Sequence, residues 1–171
     1  MKRLLNVFID ICLLRAGPQD LPASGFLMLW TAVLGLITGT IVIVGDFGGP
    51  ANALMAQLMD LVLVVVLLRI GLEFTGLQAR FVQSATALFG TGVMVNLVSM
   101  PLQLMIGEDP AASPLGQIGV LLFLFLAVWA IVIIAHILRH TFQITFLGGS
   151  ALAILYFFLI NGLVQALFLG G

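Results

Sequence analysis

Five long apolar stretches constrain this chain more than any other feature of its sequence. They cover about 24–44, 51–74, 81–104, 116–138 and 141–169. Each holds about 20 residues or more, which is enough for a helix to cross the roughly 30 Å hydrocarbon core of a bilayer. Since 62% of the chain is hydrophobic and only 8% is charged, a soluble fold of this length could not hide so much apolar surface. We therefore predict an all-α polytopic membrane protein, built as a bundle of five transmembrane helices.

The segment before the first span, residues 1–23, is predicted to form a separate surface element. Its basic start and apolar run resemble a signal peptide, but Asp10 interrupts the run and no small-residue cleavage site follows. Arg3, Asn6 and Asp10 recur at helical spacing and would form one polar stripe. The side chains that we expect to lie in lipid are Leu4, Leu5, Phe8, Ile11 and Cys12. We predict an uncleaved amphipathic helix in the membrane interface and a short linker, followed by the membrane domain over 24–171.

The distribution of charge supports the number of spans. With five spans, the N-terminus, the connection between the second and third spans and the connection between the fourth and fifth share one side of the membrane. All six basic residues fall on that side: Lys2, Arg3, Arg15, Arg69, Arg80 and Arg139. The connections on the other side contain Asp46, Glu108 and Asp109 and no basic residue. Because cytoplasmic loops are enriched in Lys and Arg, we predict a bacterial inner-membrane protein with a cytoplasmic N-terminus and a periplasmic C-terminus.

Polar residues near the ends of the spans are predicted to form a cytoplasmic edge. This edge comprises Arg69, Glu73, Arg80, His136, Arg139 and His140. We expect Arg69 and Glu73, which are four residues apart, to pair. His136 and His140 have the spacing of a metal pair, but no nearby Cys or Glu completes a zinc shell. We therefore expect the edge to contact lipid headgroups and to hold no metal, with binding of a cytoplasmic partner as the alternative.

Asp60 lies near the middle of the second span and is the costliest residue in the apolar stretches. An acidic side chain at mid-bilayer costs about 2.5–3.5 kcal/mol on insertion scales, so it is expected to face the bundle or a wet cavity and to take a partner. Gln57 lies one turn earlier on the same helical face. The candidate partners on other spans are Asn96, Ser99, Asn161 and Gln165.

We predict an intramembrane polar site made of Asp60, Gln57, Asn96 and Asn161. Two interpretations of this site stay open. The first is a proton or cation site. The second is a protonated Asp60 in an interhelical hydrogen bond that holds the bundle together.

Glycines at helical spacing indicate close helix packing. Gly35 and Gly39 form a GxxxG pattern in the first span, which lets two helix backbones approach each other. We interpret Gly90 in the third span, and Gly148 with its neighbour Gly149 in the fifth, in the same way. Packing within the bundle is the expected role, and formation of a homodimer is the alternative.

Several classes of function find no support in the sequence. It contains no nucleotide-binding loop, no catalytic Ser-His-Asp order, no cysteine pair and no HExxH zinc motif. A net charge of −1 with six basic residues cannot track a phosphate backbone. We therefore expect a protein that is not an enzyme, binds no nucleic acid and carries no cofactor.

The five-span region contains several features that are less specific than a catalytic motif. They are Arg80-Phe81-Val82-Gln83 at the start of the third span, Pro101 near its far end, and the Arg139-His140 hairpin that precedes Gly148-Gly149 and Tyr156. In these features the chain resembles the Yip1 family of small five-span membrane proteins, whose bacterial members are mostly uncharacterised. The resemblance implies a five-helix membrane fold with a short N-terminal segment, and it assigns no activity.

These observations lead to competing hypotheses for function. The first is a non-enzymatic membrane scaffold or accessory protein that acts through helix–helix contacts and its cytoplasmic edge. The alternative is a small transporter or proton-coupled subunit centred on Asp60, and a third is a subunit of a larger complex. The expected partners are the lipid bilayer and other membrane proteins or a second copy. A wet cavity that reaches Asp60 would favour the transporter, whereas a dry Asp60 that is hydrogen-bonded to one neighbour would argue against it.

Overall fold

The computed structural model describes residues 2–107 and 109–169, and within these ranges the backbone is helical with short connections and no strand. Met1, Glu108 and the C-terminal Gly170 and Gly171 lie outside the described residues. The α-helices are α1 (Lys2–Cys12), α2 (Gly25–Ile43), α3 (Pro50–Thr75), α4 (Phe81–Ile106), α5 (Pro114–Phe142) and α6 (Phe146–Val164). A short π-helical stretch, Gln165–Leu169, continues α6. Helices α2 to α6 are long and apolar enough to span a membrane, which confirms the all-helical, five-span prediction.

The starts of the spanning helices follow from local sequence. The hydroxyl of Ser24 accepts a hydrogen bond from the Leu27 amide at 3.3 Å and caps α2. Ser113 caps α5, and Thr145 caps α6, in the same way. Such caps satisfy backbone amides that the first helical turn leaves without a partner. Pro50 opens α3, a position where its missing N–H costs nothing.

The hairpin between the fourth and fifth spans differs from the prediction. The sequence predicts that Arg139 and His140 lie in the loop and that the last span begins at 141. In the structure, α5 continues to Phe142, and Gln143 ends it in the left-handed conformation with φ 56°. The amide of Gln143 donates to the carbonyl of Arg139, so the capping geometry stops the helix one turn later than the charges suggested. Arg139 and His140 therefore occupy the last turn of α5, where positive charge complements the free carbonyls.

Helix α1 packs on the bundle through its apolar side. Ile11 is fully buried and Phe8 is 6% exposed, and both lie in one cluster with residues of α4 and α5. The expectation that these two side chains contact lipid is therefore wrong. Leu5 and Ile9 remain exposed on another side of α1. The location of α1 in the membrane interface stays a prediction.

Helix α4 lies at the centre of the bundle and packs against α1, α2 and α5. Helix α5 runs antiparallel to it: Thr141 bonds Ser84 at one end, and Gly119 approaches Ile106 at the other. By contrast, α3 packs mainly against α2, and α6 packs mainly against α5. This leaves a space between α3 and α6.

The two ends of the bundle differ in charge. Alternating helix directions bring the connections 13–24, 76–80 and 143–145 to the same end, which we call the basic end. The arginines near this end are Arg3, Arg15, Arg69, Arg80 and Arg139. The connection 44–49, Gly107 and residues 109–113 lie at the opposite end, with Asp46 and Asp109.

Candidate functional site

Asp60 on α3 meets Tyr156 on α6 in the middle of the bundle. Asp60 lies ten residues, or ~15 Å, from the start of α3, and Tyr156 lies equally far from the start of α6 at the other end. The two residues therefore reach similar depths from opposite sides. The Tyr156 hydroxyl donates a hydrogen bond to an Asp60 carboxylate oxygen.

Tyr156 was missing from the predicted partners of Asp60, so that prediction was wrong. The predicted amide and hydroxyl side chains are short, whereas the phenol carries its hydroxyl across the space between α3 and α6. One signal was available in the sequence: Tyr156 is the single tyrosine of the chain. A tyrosine in the middle of a span is expected to find a hydrogen-bond partner for its hydroxyl.

Asp60 and Tyr156 line a half-open cavity of about 680 Å³. Its volume lies within the roughly 300–1,000 Å³ of small-molecule sites. Helices α3 and α6 form two sides of the cavity, and α2, α4 and α5 form the rest of its wall. Along α3 it extends from Gln57 to Thr75, which is ~27 Å of helix, and it ends near Ile144 at the basic end.

Polar groups are concentrated at the inner end of this cavity. Gln57, Asp60, Asn96 and Tyr156 lie there, and most of the remaining lining is aliphatic, aromatic or glycine. Thr91 also lines the cavity, but its hydroxyl donates to the carbonyl of Ala87 in its own helix at 2.8 Å. The cavity is therefore an apolar slot with one polar end.

Asp60 has no positive neighbour in this lining. Among the described residues that border the cavity, none is Lys, Arg or His. Tyr156 is the one hydrogen-bond partner that the described part of the chain gives to the half-buried Asp60 carboxyl. An uncompensated carboxylate away from water is strongly disfavoured. We therefore expect a proton or a bound cation to neutralise this group.

The predicted polar site is assembled only in part. Gln57, Asn96 and Asp60 share the cavity. The amide of Asn96 donates to the Thr38 hydroxyl at 3.2 Å and links α4 to α2. Asn161 does not join them: it is exposed on α6 and donates to the carbonyl of Phe157 at 2.8 Å. Because Asn161 is five residues beyond Tyr156, it points ~140° away around the helix.

Two of the predicted packing glycines sit at close helix contacts. A Cβ on Gly39 would overlap the Gln57 side chain, and one on Gly90 would overlap the Phe8 ring. The missing side chains thus let α3 approach α2 and let α1 dock on α4. Gly35 makes a looser contact, since its Cβ would lie 3.8 Å from the carbonyl oxygen of Phe89.

In the last span the tight contact is at Gly149 rather than at Gly148. A Cβ on Gly149 would overlap the backbone carbonyl of Ala135 in α5. A Cβ on Gly148 would meet Ile144 at 3.3 Å, a residue just before its own helix. Since neighbouring residues on a helix point ~100° apart, only one of the pair can face α5.

The predicted cytoplasmic edge divides into an exposed part and a folded part. Arg69 and Glu73 form the expected pair at 3.4 Å, with both side chains more than half exposed. Arg139 is also exposed. Such exposed pairs contribute about 0–1 kcal/mol to stability.

His136 belongs to the folded part of the basic end. It is 6% exposed, and its Nε2 lies 3.0 Å from the carbonyl oxygen of Ala16. The expectation that it contacts headgroups is therefore wrong. Arg80 donates to the carbonyl of His140 at 2.6 Å and ties the third span to the fourth. In the described residues, no group of three or more His, Cys, Asp or Glu side chains is placed to hold a metal.

Further side-chain donors fix the segment before the first span. Trp129 donates to the Cys12 carbonyl at 3.1 Å, and Gln83 donates to the Leu21 carbonyl at 2.6 Å. These bonds satisfy backbone carbonyls that the end of α1 and the linker leave free. They make α1 and its linker part of the folded bundle.

No protein-family model, no curated protein and no solved structure matches this chain. The resemblance to the Yip1 family therefore stays a prediction.

Proposed function

We propose that this protein is a small, non-enzymatic transporter in which Asp60 exchanges a proton for a monovalent cation. One observation carries the proposal: Asp60 lines a half-open cavity inside the spanning region, and the described lining offers it no basic side chain. A carboxyl group with a purely structural role needs only its hydrogen bond and no such space. The cavity therefore favours transport over the scaffold hypothesis.

The exchange follows from charge balance at one carboxyl group. When the cation binds, the Asp60 carboxylic acid releases its proton to water and becomes the carboxylate partner of the cation. The site has no net charge in either state. The empty, charged state is disfavoured, because an unpaired carboxylate away from water is costly. Cation and proton thus compete for Asp60, and that competition is the coupling.

Tyr156 contributes by stabilising the carboxylate. Its hydroxyl donates to Asp60, and hydrogen bonds to an ionised acceptor are stronger than those to a neutral one. Since Tyr156 belongs to α6 and Asp60 to α3, the same hydrogen bond links the two helices beside the cavity. Binding at Asp60 is therefore coupled to the contact between these helices.

We further propose that the chain lies in the bacterial inner membrane with its N-terminus in the cytoplasm and its C-terminus in the periplasm. The support is the charge distribution: all six Lys and Arg residues belong to the N-terminal segment or to spans and connections of the basic end. In this orientation the apolar part of the cavity extends toward the cytoplasmic side.

A scaffold or accessory role is the second candidate, and a specific observation favours it. Asn161 is exposed on α6, and Gln165, four residues later, is exposed at the start of the π-helical stretch that continues α6. Polar side chains on the outer surface of a span favour hydrogen bonds to a neighbouring membrane helix. The partner would be another membrane protein or a second copy of the chain.

The test is proton movement in sealed proteoliposomes that contain a pH-sensitive dye. Addition of a monovalent cation outside, with Na⁺, K⁺ and organic ammonium ions tried in turn, should drive proton release through the wild-type protein. Asp60→Asn should abolish the signal and Asp60→Glu should retain part of it. Asp46→Asn is the matched control, since Asp46 is an exposed acid in the connection 44–49. Equal activity in wild type and Asp60→Asn, or no exchange with any cation, would overturn the transport proposal.

A further inference from the structure

The polarity of the cavity is opposite to that of a lipid. Its outer part, toward the basic end, is lined by apolar side chains that include Phe74, Phe142 and Ile144, and its polar groups lie at mid-depth around Asp60. A phospholipid has its polar group at the membrane surface and its chain ends at the centre. An acyl chain in this cavity would place methyl groups against Asp60 and Asn96 and leave the carboxylate without a counter-charge. The cavity thus fits a molecule with a polar group innermost.

The size of the cavity favours an organic cation over a bare metal ion. A bare metal ion would occupy only the inner end and would leave most of about 680 Å³ of apolar space without a role. An organic cation with large apolar substituents would use both parts, since its charge would meet Asp60 and its substituents would bury apolar surface along the slot.

We propose that the cavity binds a lipophilic organic monocation, an ammonium or phosphonium ion, with its charge at Asp60 and its apolar groups in the slot toward the basic end. The assignment rests on the proposed function and adds the class of substrate.

Among the titratable groups in and near the cavity, we expect Asp60 to determine this binding. Tyr156 on α6 is the other titratable side chain in the described lining, and α2, α4 and α5 contribute none to it. On α3, Arg69 and Glu73 lie more than two turns from Asp60 and pair with each other. Binding should therefore weaken as the pH falls and Asp60 takes up a proton.

The probe is tetraphenylphosphonium, and tetraphenylborate is its anionic match in size and shape. Equilibrium binding to the full chain in lipid nanodiscs should be saturable, with one phosphonium ion per chain and no saturable binding of the borate. Affinity should fall up to about tenfold per pH unit over the range in which Asp60 takes up its proton. Asp60→Asn should weaken binding about 100-fold and remove the pH dependence.

A pair of glycine variants tests the location. A Cβ on Gly92 or on Gly162 would meet nothing within 4 Å, but only Gly92 lines the cavity. Gly92→Leu should fill the slot and weaken phosphonium binding about tenfold, whereas Gly162→Leu should bind like wild type. Gel-filtration profiles and Tm values establish that each variant is folded. Wild-type binding by folded Gly92→Leu would overturn the assignment of the slot.

Combining this measurement with the proton assay separates the two proposals. Proton exchange driven by Na⁺ or K⁺ without saturable phosphonium binding would overturn the lipophilic substrate and leave the transporter. Saturable phosphonium binding that depends on Asp60, without proton release, would leave the binding site and overturn transport. Equal binding of the borate would show partition into lipid only and would overturn the site.

Discussion

The hydrogen bond between Tyr156 and Asp60 predicts a stability change whose size depends on the residue at position 60. Tyr156→Phe removes the donor and keeps the aromatic ring. Interhelical hydrogen bonds in membrane proteins contribute about 0.6 kcal/mol on average and up to about 1.7 kcal/mol. For a fully buried acceptor that is left without a donor the whole cost is about 1–3 kcal/mol, and Asp60 is partly buried. Since the described structure gives Asp60 no second partner, we expect Tyr156→Phe to lower the free energy of unfolding by about 1–2 kcal/mol.

The double-mutant cycle with Asp60→Leu isolates the contact. Asp60→Leu loses the same hydrogen bond and places an apolar side chain of similar size at position 60, so it supplies a background in which the contact is absent. With Leu at position 60, the Tyr156 hydroxyl has lost its acceptor. Tyr156→Phe should then change stability by less than about 0.3 kcal/mol, and the coupling energy should be about 1 kcal/mol.

The assay is reversible unfolding in mixed micelles with increasing dodecyl sulfate. Circular dichroism follows helix content, and tryptophan fluorescence includes Trp129, which bonds the end of α1. Stability differences are taken from the midpoints of the two-state curves. If Tyr156→Phe costs the same with Asp or Leu at position 60, the hydrogen bond does not form in the membrane protein, and the geometry proposed for the site is refuted.

Three further predictions concern packing, a thiol and topology. Gly149→Leu should destabilise the α5–α6 hairpin by more than about 2 kcal/mol in the same unfolding assay, because the new side chain would meet the backbone of α5. Gly148→Leu should cost less than half as much. Equal costs for the two variants would contradict the assigned contact. Burial raises the pKa of the Cys12 thiol to about 11, so at pH 8 the folded protein should react with maleimide about 100-fold more slowly than the unfolded chain. The linked stability is fully present below about pH 9 and is lost as the pH rises toward 11, so labelling at pH 8 as fast as in denaturant would contradict this burial. Reporter fusions at Glu73 and Glu108 should be active in the cytoplasm and periplasm respectively, and the reverse result would overturn the proposed orientation.

The spans and their number could be predicted because the bilayer imposes them on the sequence. A span needs about 20 apolar residues, and the connections must leave the hydrocarbon, so caps and prolines such as Ser24 and Pro50 lie close to the predicted boundaries. Asp60 stood out for the same reason, since an acid inside an apolar stretch needs an explanation that a surface acid does not. The Arg69–Glu73 pair also follows from local spacing alone.

The partners of these residues depended on tertiary structure. Helices α3 to α6 are apolar on every side, so no stripe in their sequences indicates which face packs on protein and which faces lipid. Tyr156 pairs with Asp60, and Asn161 does not, because of how α6 is rotated against the bundle. The rotation of α6 also decides that Gly149, and not Gly148, contacts α5.

The five apolar stretches, the basic side and the isolated acid were thus determined by the sequence, since hydropathy and charge are properties of single segments. The docking of α1, the contact between Asp60 and Tyr156 and the cavity between α3 and α6 were decided only by tertiary structure. The physical reason is that helix rotation and separation depend on how side chains from distant segments fit together, and an apolar composition is compatible with many such fits.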